Sequence, residues 1–104
     1  MTRIKAKDLK VGDIIGLFYK KDDTSIWNPD VVVNICEYKD EGRWHVSTFE
    51  LDGKFHTGGI GDNGNGLESF NDEICYYKVI GHTDLIGKFV ETINHDNAWK
   101  LEVA

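Results

Sequence analysis

Apolar runs separated by short polar segments divide most of the chain into pieces of strand length. The runs are rich in β-branched and aromatic residues, which favour strands, and the polar segments carry the glycine, asparagine and aspartate of tight turns. This pattern predicts a mainly β protein. The predicted strands are residues 3–6, 13–21, 31–39, 44–51, 54–57 and 71–81, with a closing strand near 98–103.

The segment "KDLKVGD" predicts a tight turn before the first long strand. Leu9 and Val11 supply apolar anchors, and Gly12 permits the backbone that a sharp turn needs. The strand that follows, residues 13–21, is apolar on both faces, so it is expected to lie centrally in a sheet. The pair Asp52–Gly53 favours a tight hairpin further along.

After Gly81 the spacing of apolar residues changes to three and four, which is typical of a helix. A short helix is therefore predicted near residues 84–93, with Thr83 or Asp84 available to cap it. Short strands with turn signals about every ten residues favour a small antiparallel barrel or sandwich, formed as one domain over residues 1–104. The residues with helical spacing are Leu85, Ile86, Phe89, Val90 and Ile93.

The opening "AKDLKVGDII" resembles the first segment of small SH3-like β-barrel proteins of phages and bacteria. The later "RWHVSTFELDGK" is similar to a hairpin of those proteins that contains W-x-V and then Asp-Gly. The resemblance covers about the first half of the chain and implies an SH3-like barrel. That fold serves many unrelated functions, so the resemblance implies no particular activity.

The net charge of −6 and the pI near 5.1 oppose binding to duplex DNA, which requires clustered basic residues. The acids are scattered and form no long run, so a solvated surface is favoured over an acidic mimic. The first ten residues lack the apolar region of a signal peptide, and no apolar run approaches membrane-spanning length. These features predict a cytoplasmic protein without a membrane partner.

Cys36 and Cys75 are the only cysteines, and both lie in apolar runs that read as strands. They share no metal-binding or redox spacing. We expect both thiols to be buried, reduced and without a functional role.

The stretch "HTGGIGDNGNGLESF" is the main candidate for chemistry, because Gly59, Gly61 and Gly64 have the spacing of a dinucleotide-binding loop. That motif needs a helix that opens after the glycines, and "GNGLESFN" is a poor helix start. Asp62 and Glu68 also have the wrong charge for a phosphate. A phosphate site is therefore disfavoured.

The same stretch offers oxygen ligands for calcium, but the spacing does not fit an EF-hand. Asparagine and glycine favour turns, so residues 57–66 are predicted to form a long mobile loop that orders with a partner or ligand. The oxygen ligands in question are Asp62, Asn63, Asn65 and Glu68.

The four histidines lack the spacing of a zinc helix, and no serine lies in a nucleophile motif. Trp27 is more informative, because it lies in the polar segment "TSIWNPD", where a tryptophan can anchor an interface or cap a barrel end. Trp44 is expected to pack in or beside the core.

These observations favour a small non-enzymatic binding module with a protein partner and without a cofactor or metal. The resemblance suggests a phage accessory protein or an inhibitor of a host defence factor. The alternative is a protein that binds a nucleotide or other small ligand, with residues 57–66 as a lid. An enzyme is the third hypothesis. The candidate binding residues are Trp27, Trp44, Phe55, His56, Gly59, Ile60, Gly61, Asp62, Asn63 and Gly64.

Overall fold

The computed structural model of the chain describes residues 3–50 and 57–84. The strands in that part of the chain are β1 (Asp13–Tyr19), β2 (Asp30–Tyr38), β3 (Arg43–Glu50), β4 (Thr57–Asp62) and β5 (Cys75–His82). Two short 3-10 turns lie at Ala6–Asp8 and Lys39–Glu41. All strand pairs are antiparallel, and together they form one open sheet in the order β4-β3-β2-β1-β5. The prediction of a mainly β protein is confirmed.

Strand β1 lies between β2 and β5, which confirms its predicted central position. Its residues alternate between the two faces of the sheet. Ile15 and Leu17 join the larger core cluster, whereas Ile14 packs against a smaller cluster on the opposite face. A central strand is covered on both sides, which accounts for its continuous apolar sequence.

The tight turn predicted before the first long strand is confirmed. The amide of Asp13 donates to the carbonyl of Lys10 at 3.0 Å, which closes the turn before β1. Between β2 and β3, Gly42 adopts a left-handed conformation with φ of 65°, which a residue without a Cβ adopts at little cost.

The larger core cluster receives side chains from all five strands, and we call the side of the sheet that carries it the inner face. Two segments outside the strands cover this face, one through Ala6 and Leu9 and the other through Leu67. The opposite, outer face has the smaller cluster of Val31, Val33 and Phe49. Residues of all five strands thus share one core.

Two sequence-based predictions of secondary structure are wrong within the described residues. Residues 3–6 form no strand and instead lead into the 3-10 turn at Ala6–Asp8. The glycine run predicted as a loop over 57–66 begins with β4, because the backbone of Thr57–Asp62 pairs with β3 from Phe49 to Trp44. The hydrogen-bonding template of β3 outweighs the low strand propensity of glycine.

Other predictions stay untested by this structure. The helix near residues 84–93 lies outside the described residues apart from Asp84, as do the Asp52–Gly53 turn and the closing strand at 98–103. Among the described strands, β4 and β5 are the two ends of the sheet order and do not pair, so the fold seen is an open sheet.

Candidate functional site: an aromatic-rimmed cleft beside the glycine run

The glycine run consists of two different structures. Its first part is β4, and its second part is a turn over residues 63–66 that the side chain of Asp62 organises. One carboxylate oxygen of Asp62 accepts hydrogen bonds from the amides of Gly64 at 2.8 Å and Gly66 at 2.9 Å. The other oxygen accepts one from the amide of Ala6 at 2.8 Å. Asp62 thereby joins the turn to the N-terminal segment.

Asp62 is charged although its exposed fraction is only 3%. Burial raises the pKa of this carboxyl, but the three backbone donors and the nearby Arg3 charge outweigh burial and hold the pKa below its ordinary value. Backbone amides that converge in this way form an anion-binding site. Here the anion is the protein's own carboxylate, so these amides are not available to a phosphate.

The same geometry disfavours calcium at this turn, because both oxygens of Asp62 face N–H donors, which repel a cation. No group of three or more histidine, cysteine, aspartate or glutamate side chains in residues 3–50 and 57–84 is arranged to hold a metal ion.

Arg3 also links the turn to other parts of the chain. Its guanidinium donates to the carboxylate of Asp72 at 2.8 Å and to the carbonyl of Asn65 at 3.2 Å. The amide of Leu67 donates to the carbonyl of Ile4 at 2.8 Å. The predicted mobility of residues 57–66 has no support in this arrangement, because both parts of the segment are hydrogen-bonded to other elements.

A cleft of about 370 Å³ opens on the inner face, where the core cluster ends. Its walls come from the start of β2, the end of β3, the start of β4 and the middle of β5, so it lies between the two edge strands. Of the sequence-predicted residues, Trp27, Gly59 and Ile60 lie here. The lining residues are Trp27, Asn28, Asp30, Thr48, Glu50, Thr57, Gly58, Gly59, Ile60 and Tyr77.

An exposed aromatic pair extends the rim of the cleft. Trp27 is 52% exposed and Phe70 is 59% exposed, and their ring centroids are 5.4 Å apart with a tilted arrangement. The polar context of Trp27 had left open whether it anchors an interface or caps a barrel end. Nothing in the sequence marked Phe70, which follows Ser69 in an irregular segment. Only the fold brings these two residues together, from positions before β2 and before β5.

Tyr77 lies in the wall of the cleft and is largely buried. Burial, with the negative charge of Asp30 as a further cause, raises the pKa of the phenol to about 12. The hydroxyl group is therefore protonated at neutral pH and can donate a hydrogen bond. Asp30 and Glu50 place two carboxylates in the same lining, and each also interacts within the chain.

The other predicted residues that the structure describes lie outside this cleft, near the end of β4 at Asp62. A second cleft of about 200 Å³ includes Trp44, Gly61, Asp62 and Asn63, together with Tyr38, Arg43, His45 and Glu68. Gly64 lines a smaller cleft of about 160 Å³ near Lys5 and Lys7. Phe55 and His56 lie outside the described residues.

His82 forms a histidine–carboxylate cluster outside these clefts. Its Nδ1 lies 2.8 Å from a carboxylate oxygen of Asp13, and its Nε2 lies 3.0 Å from one of Asp84. The hydrogen bonds to Asp13 and then to Asp84 raise the pKa of the imidazole. With both ring nitrogens engaged by carboxylates, His82 holds the end of β5 against the start of β1.

The two cysteines differ in environment. Cys75 is buried as predicted, with its sulfur 3.2 Å from the hydroxyl of Ser69 and 3.1 Å from the carbonyl of Asn71. Cys36 is only half-buried, so the prediction of burial is wrong for this thiol. It lies on β2 beyond the core, where the pairing with β3 continues past the packed region. Both cysteines are free.

No protein-family model, curated protein or solved structure matches the chain. Among the described residues, no helix is both long and apolar enough to cross a membrane.

Proposed function

We propose that this chain is a small non-enzymatic binding module that docks a protein through the inner-face cleft and the Trp27–Phe70 pair. The observation that carries the proposal is the exposed aromatic pair, with its rings in tilted contact, at the rim of a cleft. Large aromatic side chains dominate the binding energy of many interfaces, because burying them removes much apolar area from water.

The state of the reactive side chains supports a non-enzymatic role. The ring nitrogens of His82 face two carboxylates, the Asp62 carboxylate is saturated by backbone donors, and the Cys75 thiol is buried. Each of these groups serves a structural contact instead of facing the cleft.

Binding of a small ligand is the second candidate, and the size of the cleft favours it. A volume of about 370 Å³ falls within the usual range for small-molecule sites, and the Thr48 and Tyr77 hydroxyl groups lie in its walls. Nucleotide binding through the glycine run has less support, because the amides of the turn already bind Asp62. A panel of nucleotides and other small metabolites in a thermal-shift assay tests this candidate, which requires stabilisation that Tyr77→Phe diminishes.

We further propose that the module acts in a cytoplasm, as an accessory protein of a phage or an inhibitor of a host defence factor, and that its sheet belongs to the SH3-like barrels. The resemblance of "DLKVGD" supports this proposal, and so does the way in which residues of both edge strands line one cleft.

The experiment places a photo-activatable amino acid at position 27, or at position 80 as a control, in protein produced in a bacterial cytoplasm. Ile80 is a suitable control because it is 46% exposed and apolar. It also lies beside Gly16 on the outer face. A protein cross-linked from position 27 alone is then purified for affinity measurements.

We expect Trp27→Ala and Phe70→Ala each to weaken binding of that purified protein by about tenfold or more, because truncation of an aromatic anchor commonly costs above 1 kcal/mol. Ile80→Ala should leave the affinity within about twofold. Equal affinities for all three variants would contradict the proposed surface.

A further inference from the structure

Strand β4 is one edge of the sheet, and its backbone reveals which groups face outward. The amide of Glu68 donates to the carbonyl of Gly61 at 2.9 Å, so the backbone groups of Gly61 point away from β3. In an antiparallel pair, consecutive residues alternate between pointing toward the partner strand and pointing away from it. Gly59 and Thr57 therefore also direct their N–H and C=O groups outward, whereas Gly58 and Ile60 bond to β3.

Among residues 3–50 and 57–84, no strand pairs with this outer edge at Thr57 and Gly59. Natural sheets usually protect such edges with charged residues, proline or a bulge. The edge strand β5 has these features, since it carries Lys78 and a register shift opposite Ile14 and Ile15. The segment Thr-Gly-Gly-Ile-Gly of β4 has neither a charge nor a proline, and its register with β3 is regular.

The three glycines of this short strand are a further indication that another backbone approaches β4. Glycine weakens a strand, and within one it often marks a place where another backbone or a ligand approaches closely. Gly58, Gly59 and Gly61 have no side chains of their own to shield the backbone of β4, and Gly58 and Gly59 are exposed. Gly58 and Gly59 also line the cleft together with Thr57 and Ile60, so the open edge and the cleft are contiguous.

We propose that β4 binds an extended segment of the partner protein as an added sixth strand, with basic side chains of that segment reaching into the cleft. This inference rests on the proposed protein-binding function and deepens it. Main-chain bonds to Thr57 and Gly59 provide affinity, and alternate side chains of the added strand face the cleft. The Trp27–Phe70 pair then flanks the segment.

Charge decides the kind of segment. The chain has a net charge of −6, and Asp30 and Glu50 contribute carboxylates to the cleft lining. A segment with lysine or arginine complements this field. A second copy of this chain would bring the same negative charge to the edge, so pairing of β4 with β4 of another copy is disfavoured.

Gly59→Pro removes the outward amide of residue 59 without removing a bond to β3. Proline is tolerated at such positions of edge strands. Gly59→Ala is the matched control, because it keeps the amide and adds a Cβ at the same place as proline does. This Cβ would lie 2.5 Å from Nε2 at the exposed end of the His45 side chain. Thermal unfolding of both variants establishes that the sheet remains intact.

The probe is a peptide selected from a random nonapeptide library on the full chain and then synthesised. We expect selected peptides to carry lysine or arginine at alternate positions. Loss of one main-chain hydrogen bond should weaken their binding by about tenfold in Gly59→Pro, with Gly59→Ala within about twofold. N-methylation of the peptide should weaken binding at every second residue only. If Gly59→Pro does not fold, this alternation alone decides the proposal.

Peptides that bind Gly59→Pro as well as Gly59→Ala and tolerate N-methylation throughout would overturn strand addition. If those peptides still require Trp27 and Phe70, the proposed binding surface stands and only this inference fails. If binding requires neither the edge nor the aromatic pair, both fail. A dimer of the free chain that Gly59→Pro dissociates would show that the occupant is a second copy and would also overturn the proposal.

Discussion

Asp62 is the residue on which the glycine-rich turn depends. Asp62→Asn replaces a carboxylate that accepts from Ala6, Gly64 and Gly66 by an amide whose NH2 group must face one of these donors. We expect a loss of about 2–3 kcal/mol in the free energy of unfolding, the cost of leaving a buried donor unpaired. Urea denaturation measures this loss. Asn63→Ala, at an exposed neighbouring position, is the control and should change the free energy of unfolding by less than about 0.5 kcal/mol. Equal stability of Asp62→Asn and the native chain would contradict the structural role.

His82 gives the folded chain a defined pH dependence. Because Asp13 and Asp84 raise its pKa in the folded state, the imidazolium contributes stability that is fully present below the unfolded value of about 6.5 and is lost as the pH rises through the folded pKa. The stability difference between the native chain and His82→Gln should therefore be largest just below about pH 6.5 and should shrink as the pH rises further.

Asp84→Asn serves as the intermediate case for this pH dependence. It removes the more exposed carboxylate and leaves the bond between His82 and Asp13, so the dependence should weaken without disappearing. A stability difference that grows with pH, measured by urea denaturation across the same range, would refute the role of His82.

At the scale of elements, the sequence was sufficient to predict the strands β1, β2, β3 and β5, since each is an apolar run bounded by turn residues. It failed for β4, because glycine has low strand propensity and the register with β3 is a tertiary interaction that no local pattern shows. The sequence showed that the glycines have the spacing of an anion-binding loop. It did not show that the bound anion is the carboxylate of Asp62. The cleft itself combines residues from separated strands, so only Trp27, Gly59 and Ile60 of its lining were predicted.

Close packing of the glycine turn against the N-terminal segment can be tested at Gly66. This residue has φ of 111°, and a Cβ there would lie 2.5 Å from Cβ of Arg3 and 3.0 Å from the carbonyl oxygen of Ile4. Gly66→Ala combines strain with a backbone clash, and we expect it to destabilise the fold by about 2–4 kcal/mol.

Gly42→Ala is the matched control for this substitution. Gly42 also has a positive φ, but apart from its chain neighbours no atom of the described residues lies within 4 Å of its added Cβ. The cost should therefore be only about 1 kcal/mol. Urea denaturation of both variants gives the difference. Equal losses would mean that the turn does not press against the N-terminal segment.

At the scale of the whole molecule, one inner core is shared by five strands and by the two segments that cover it. Ile15 is fully buried at its centre, and Ile15→Ala should reduce the free energy of unfolding by about 2–5 kcal/mol. Because every described strand contributes to this core, unfolding should be a single transition. Circular dichroism and tryptophan fluorescence should give the same unfolding midpoint. Separate midpoints would indicate that parts of the chain unfold independently.

The pairing of β1 with β5 has a consequence for the order of assembly. Strands β2 and β3 are joined by a short turn, but Asp13 and His82, which face each other across β1 and β5, are 69 residues apart in sequence. Closing so long a loop is slow, so we expect the hairpin to form early and β5 to dock late. Val46→Ala in β3 should accordingly slow refolding in stopped-flow measurements, and Cys75→Ala in β5 should mainly accelerate unfolding. Until β5 arrives, β1 exposes an apolar edge, and during this interval a nascent chain is most open to mispairing and aggregation.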